Sequence, residues 1–269
     1  MASPRQVGSA RVLVSFRTRL RCSAVLFVTV VVGAALSTTD AHAIRPFITD
    51  DARTVGQGRL QIETYWRRDR ESLQHWMLPA VGPTPWFELT LGGVHGLAPL
   101  GQRPDRPRYA LGGPIAQGKF LLHDAVPNDL PGVGVVVGGQ PPAGRGGFEA
   151  PGWSGFTYLA VTQAFFKEDD FLIHGNVGLS AISAPGIDPA KVTWGIGTQV
   201  ETLFDFHLIG EIFSGDPYAV GAGGAYQTGF RQIFNDHIQL DFTFGGGLWG
   251  DILPVWFSSG VRIVSHELW

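Results

Sequence analysis

One feature constrains this chain more than any motif: hydrophobic alternation with a period of two, repeated along most of its length. Ile238, Leu240, Phe242 and Phe244 alternate with Gln239, Asp241, Thr243 and Gly245. Val192, Trp194, Ile196, Thr198 and Val200 alternate with Thr193, Gly195, Gly197, Gln199 and Glu201, and the same rhythm runs through 171–181 and 257–263. Successive side chains of a strand point to opposite faces, so each segment has one apolar face and one small or polar face. Helices would need apolar spacings of three and four. Composition agrees: 37 of 269 residues are glycine, about double ordinary usage, and charged residues are only 16%. That balance suits an all-β chain rich in turns and excludes a coiled coil. A net charge of −3 argues against a nucleic-acid binder.

Two environments produce half-buried strands of this kind: a soluble sandwich with a dry core, or a barrel with lipid outside and a polar lumen. Connection lengths favour the second. Alternation places strands near 59–67, 74–81, 86–95, 110–122, 131–139, 153–166, 171–181, 191–203, 206–213, 221–233, 237–246 and 255–266. The expected fold class is therefore all-β, an antiparallel transmembrane β-barrel of about 12 strands. Long connections at Leu97–Tyr109, Gln140–Gly152, Ile182–Ala190, Ser214–Val220 and Gly247–Pro254 alternate with tight ones at Gly82–Pro85, Lys167–Asp170, Phe204–Asp205 and Phe234–Asp236. Asp124–Leu130 is the one long exception among the latter. Short turns on one side and long loops on the other are the habit of outer-membrane barrels. Aromatic residues fall at both strand ends: Phe165, Phe166, Phe171, Phe204, Phe206, Phe230 and Phe234 beside the turns, and Trp66, Trp76, Trp153, Trp194 and Trp256 toward the loops. This placement predicts two interfacial girdles. The chain closes on Trp269, which shares parity with Phe257, Val261 and Ile263 and is expected to help the C-terminal strand engage barrel-assembly machinery.

Residues 1–43 read as a cleaved secretory signal peptide. Arg5, Arg11, Arg17, Arg19 and Arg21 precede an apolar run from Ala24 to Leu36, and Ala41-His42-Ala43 supplies an A-x-A site. That run is too short for a spanning helix. The only cysteine, Cys22, leaves with it, so disulfides and thiolate chemistry are not expected in the remainder. Five arginines against one aspartate also leave, making the mature chain more acidic. The predicted organisation is signal peptide 1–43, a periplasmic N-terminal segment 44–58, and a barrel over 59–269.

The start of that mature chain, Arg45-Pro46-Phe47-Ile48-Thr49-Asp50-Asp51-Ala52-Arg53-Thr54, followed by Gly58-Arg59-Leu60-Gln61-Ile62-Glu63, resembles the opening of the family called MetA-pathway of phenol degradation. Looser similarity continues through Phe87-Glu88-Leu89, Gln117-Gly118-Lys119-Phe120, Gly210-Glu211-Ile212-Phe213 and Tyr226-Gln227-Thr228-Gly229-Phe230-Arg231. The second turn, Gly82-Pro83-Thr84-Pro85-Trp86, departs from the family's pattern. The resemblance implies an outer-membrane barrel in Gram-negative bacteria with a transport role and supplies no catalytic residue.

By parity, Glu63, Arg67, Glu88, Lys119, Glu201, Glu211, Arg231, Asp241 and Arg262 point inward and are the candidate lumen lining. A charge facing lipid costs about 2–4 kcal/mol near the midplane, so shared inward parity is a check on register. The lining can be a structural network of paired charges or a charge-selective pore. Asp50 and Asp51 are adjacent on an extended segment and diverge, so they suit capping or plugging better than acid–base work. No histidine pair has helical or short strand spacing for zinc, and no metal or cofactor site is expected. His174 with Ser180, and His266 with Ser258, lie too far apart for a nucleophile–base pair, and no G-x-S-x-G elbow is present. The functional expectation is a passive channel or transporter for small solutes, apolar or aromatic ones among them, in contact with outer-membrane lipid. The alternatives are a closed structural or ligand-binding surface barrel and, less favoured, a lipid-modifying enzyme.

Overall fold

A computed structural model of the chain describes residues 48–100, 103–167, 170–186, 190–215, 223–250 and 255–269. The signal-peptide assignment lies outside the described residues. Twelve antiparallel strands form the wall: β1 (Leu60–Asp69), β2 (Leu73–Thr84), β3 (Phe87–Leu100), β4 (Arg103–His123), β5 (Gly132–Gln140), β6 (Trp153–Phe165), β7 (Phe171–Ser183), β8 (Ala190–Leu203), β9 (Phe206–Ser214), β10 (Gly223–Asn235), β11 (Ile238–Gly250) and β12 (Trp256–Val264). Each pairs with its sequence neighbours, and β1 pairs with β12 from Gln61↔Val264 to Asp69↔Trp256, which closes the barrel. Closure removes the sheet edges, so every strand finds backbone partners on both sides.

The alternation appears as burial. Leu60, Ile62 and Trp66 of β1 are exposed while Gln61 and Glu63 are buried. On β8, Val192, Ile196 and Val200 are exposed and Thr193 and Gln199 buried. The buried class includes Gln61, Gln117, Gln199, Gln227 and Gln239, an interior inverted relative to a soluble domain. An apolar outside and a polar inside fit a bilayer solvent, where the strand backbone is satisfied within the sheet.

Two corrections concern the loop end. Strands β3 and β4 run well past their predicted limits, pairing Leu97 with Tyr109 and Ala98 with Arg108, so the expected long loop at Leu97–Tyr109 is an extended hairpin. Residues Gly144–Arg145 of the next connection pair with Leu111–Gly112 of that hairpin, and a 3-10 turn follows at Gly146–Phe148. This connection is thereby anchored to the hairpin. At the opposite end the turns are tight. Phe204 and Asp205 both take positive φ (57° and 58°), the geometry of a two-residue type I′ hairpin turn. The longer connection 124–131 is tied down there, because Asn128 exchanges side-chain hydrogen bonds with the Phe166 backbone.

The aromatic girdles divide differently from expectation. Phe165 stacks on Phe171 and Phe206 on Phe230 at the turn end, with Phe166 and Phe204 well exposed. At the loop end Trp66, Trp153 and Trp194 face outward, but Trp256 is buried at 2% exposure and Trp76 pairs with the inward Tyr65. These two tryptophans sit on the lumen parity. Beyond Val264 the last residues leave the strand; Leu268 donates its N–H to the Gly58 carbonyl, so Trp269 is not part of β12.

Candidate functional site

The lumen has two levels, set by where each inward residue falls along its strand. Toward the turn end the inward side chains are mostly ionic or amide. Toward the loop end aromatic rings, among them Tyr65, Trp76, Phe156, Phe213 and Trp256, stand between small, amide and hydroxyl side chains such as Gln227, Thr243 and Ser258.

The lower level is crossed by the chain's own residues 48–55, here called the strap. Glu211 on β9 accepts the N–H groups of Ile48 (2.9 Å) and Thr49 (2.8 Å). Lys119 on β4 donates to Asp50 Oδ1 (2.9 Å) and to the carbonyls of Asp51 (3.0 Å) and Arg53 (3.3 Å). Tyr158 on β6 donates to Asp50 Oδ2 (2.9 Å), and Glu88 on β3 accepts the Val55 N–H (2.8 Å). Because β3 and β9 lie on opposite walls of a twelve-stranded barrel, these anchors hold the strap across the interior. Strap residues from Thr49 to Val55 are all buried. Ala52 packs among Val136, Phe156, Tyr158 and Ala160, and Ile48 against Phe213, Ala225 and Trp256. A gap beside Ile48, Thr49 and Tyr158 leaves about 10 Å³ for a water centre. The two aspartates diverge as expected. Asp50 meets Lys119 and Tyr158, whereas Asp51 accepts from Thr162 (2.9 Å) and Arg53 Nε (2.8 Å). Burial alone would raise the Asp51 carboxyl; the Arg53 guanidinium outweighs it, with a smaller pull from His174, and holds the group well below the usual carboxylate range.

On the wall made by β8, β10 and β11, Arg231 bonds Asp241 (2.7 Å) and Gln199 (2.6 Å), and Gln239 donates to the second Asp241 oxygen (2.9 Å). Arg262 bonds Gln61 (2.7 Å), which in turn donates to Glu63 (2.7 Å). Thus Glu63, Glu88, Lys119, Glu211, Arg231, Asp241 and Arg262 are all buried. Glu201 stands apart at the turn end beside Asp170 and Asp205. Arg67 stands apart at the loop end, its guanidinium 4.6 Å from the Trp256 ring centroid.

Sequence reasoning named the charged positions and missed their partners. Gln61, Gln199 and Gln239 share the parity of the charges they serve, and that parity was the available signal. It also missed the upper aromatic level. Tyr65 lies parallel to Trp76 at 5.9 Å and 7°, Phe156 stacks with Tyr158 at 6.1 Å, and Phe213 meets Trp256 at 6.5 Å. Several of these rings lie over glycines of neighbouring strands. A Cβ at Gly245 would run into Trp256 and one at Gly138 into Phe156, so glycine provides the room for a ring in a narrow lumen.

No family model matches the sequence, and no curated protein matches it. Solved structures do. An outer membrane channel from Pseudomonas putida F1 superimposes with a TM-score of 0.58 at 10% identity, over 83% of this chain and 100% of that one. This chain has an outer-membrane barrel fold. The KdgM porin aligns with a TM-score of 0.54 at 10% identity, over 77% of this chain and 99% of that one; its complex with disordered oligogalacturonate gives 0.52 at 10% identity over the same shares. Both matches span nearly the whole of the other barrel, so the likeness covers a complete wall.

Proposed function

We propose that the protein is a passive outer-membrane channel or transporter for small solutes, apolar and aromatic ones among them. One observation carries this reading: a closed barrel, apolar outside, whose polar lumen is crossed by a separate peptide strap held largely by side chains. A purely structural interior could be filled by wall residues alone, as small barrels commonly are. A strap tied through side-chain bonds can leave without breaking any strand pairing. The fold shared with an outer membrane channel and a porin supports the same reading.

In this proposal the tight-turn end faces the periplasm, the signal peptide is cleaved after Ala43, the strap enters the lumen from the periplasmic side, and β12 engages the assembly machinery. Solute would meet the aromatic level first and pass the strap when it yields. The opening sequence Arg45–Glu63 supports membership of the MetA-pathway of phenol degradation family. Not being an enzyme is part of the proposal. The strap also favours a second reading, a closed barrel with a structural lumen. Planar-bilayer conductance of the refolded chain separates the two. Discrete steps that small aromatic solutes block are expected; a heat-modifiable barrel that stays silent would refute the channel.

A further inference from the structure

Among the inward-facing cations described above, the one at the loop end, Arg67, is bonded differently from those below it. Lys119, Arg53 and Arg231 each make an ion pair with a buried carboxylate, and Arg262 bonds Gln61 in a group that includes Glu63. Arg67 makes no ion pair among the described residues. Its contact is the face of Trp256, and its Nε is shielded from solvent without a hydrogen-bond partner. One N–H of this guanidinium is shielded without an acceptor, and a carboxylate approaching from the lumen would supply one and pair with the charge. Asp69, two residues further along the same face, does not fill this role. Its Oδ1 accepts the N–H groups of Glu71 (2.7 Å) and Ser72 (2.6 Å), and its Oδ2 the Ser72 hydroxyl (2.8 Å), so its charge is committed to the turn.

The neighbours of Arg67 are flat. Tyr65 is two residues down the strand on the same face, about 6.8 Å away along the backbone, and lies parallel to Trp76 on the adjacent strand. Gln74 is paired with Arg67 itself and accepts from the Trp76 indole (2.9 Å), which fixes that ring. Trp256 is held in turn by its indole bond to Gln227 (2.9 Å). Tyr65, Arg67 and Trp76 are partly exposed on the lumen side, above the strap. We infer that Arg67, Tyr65, Trp76 and Trp256 form a binding site for small aromatic carboxylates. The guanidinium takes the carboxylate, and a single ring reaches back over Tyr65 and Trp76, where offset stacking adds to the contact. The inference deepens the channel reading by naming the solute class and rests on that reading for its physiological meaning.

The test reads binding, not conduction. Tryptophan fluorescence of the full refolded chain in detergent is titrated with benzoate, with benzamide as the uncharged counterpart, and with cyclohexanecarboxylate as the non-aromatic acid. Benzoate is expected to bind about tenfold or more tightly than either, the worth of one charge-assisted contact or one stacked ring. Arg67→Gln is expected to erase the preference over benzamide while heat-modifiable mobility is retained, and Arg67→Lys to keep part of it. Equal affinity for benzoate and benzamide, or a preference that survives Arg67→Gln, overturns the site. If Arg67→Gln does not refold, Trp76→Leu should reduce the preference over cyclohexanecarboxylate, and an unchanged ratio overturns it. A barrel that binds benzoate through Arg67 but never conducts keeps the site and removes the channel; one that conducts without that preference does the reverse.

Discussion

Replacing Lys119 by Met should release the strap without opening the wall. The Lys119 side chain is 1% exposed and its Asp50 partner 3%, and the ammonium spends all three donors on the strap. Met matches the length of the stem but offers no donor, so Asp50 is left as a buried carboxylate with only Tyr158 to serve it. Breaking a buried pair from one side costs about 3–5 kcal/mol. That cost falls on strap docking, because the backbone pairing of Lys119 with Glu88 and Val136 needs no side chain. At 1.4 kcal/mol per tenfold, the docked fraction should shift by about 100-fold or more. Hydrogen exchange reads it directly. The Ile48, Thr49, Ala52 and Val55 amides, bonded to Glu211, Thr162 and Glu88, should exchange correspondingly faster, while amides within β4 and β5 keep wild-type protection. Conductance should rise in parallel. Adding Asp50→Asn removes the stranded charge and should restore part of the protection. Wild-type exchange at all four amides, with unchanged conductance, would refute the assignment of Lys119 as the main anchor.

Three further outcomes follow from the same structure. Arg231→Met strands Asp241 in the wall and should cost about 3–5 kcal/mol in urea unfolding of the refolded barrel, most of it recovered in Arg231→Met with Asp241→Leu; a single variant as stable as wild type contradicts the pairing. Ile196→Arg puts a charge on the lipid face near the middle of β8, where Ile196 is 61% exposed, and should cost about 2–4 kcal/mol in a bilayer, whereas no cost would show that this face does not meet lipid. Asp51 has a depressed folded pKa, so its contribution to strap docking is complete above about pH 4, the unfolded value, and is lost only as the pH falls through the lower folded value. Exchange of the Arg53 amide, corrected for intrinsic rate, should therefore be the same at pH 7 and pH 5, and loosening already at pH 5 would contradict it.

What the sequence disclosed and what it withheld have one physical cause. Strand parity is local, because two neighbours on a chain cannot face the same way, so Glu63, Lys119, Glu211 and Arg231 were legible as inward residues before any pairing was known. Partnership is not local. Lys119 finds Asp50 across 69 residues and Arg262 finds Gln61 across 201, distances that only closure of the barrel makes short. Trp76 and Trp256, by contrast, were legible from local parity and were misassigned by their position along the strand. Proximity to strand ends suggested a girdle, but a ring at a strand end faces lipid or lumen according to parity, and parity turns both inward. The strap was the least legible part, since its extended Thr49–Val55 run has no alternation to give it a face; every one of these side chains is buried because the lumen surrounds them on all sides. A barrel chain of this kind therefore writes its wall in a two-residue code and its contents in no code at all. Its contents are where function has to be sought: a strap held by side-chain bonds below, and an unpaired guanidinium among rings above.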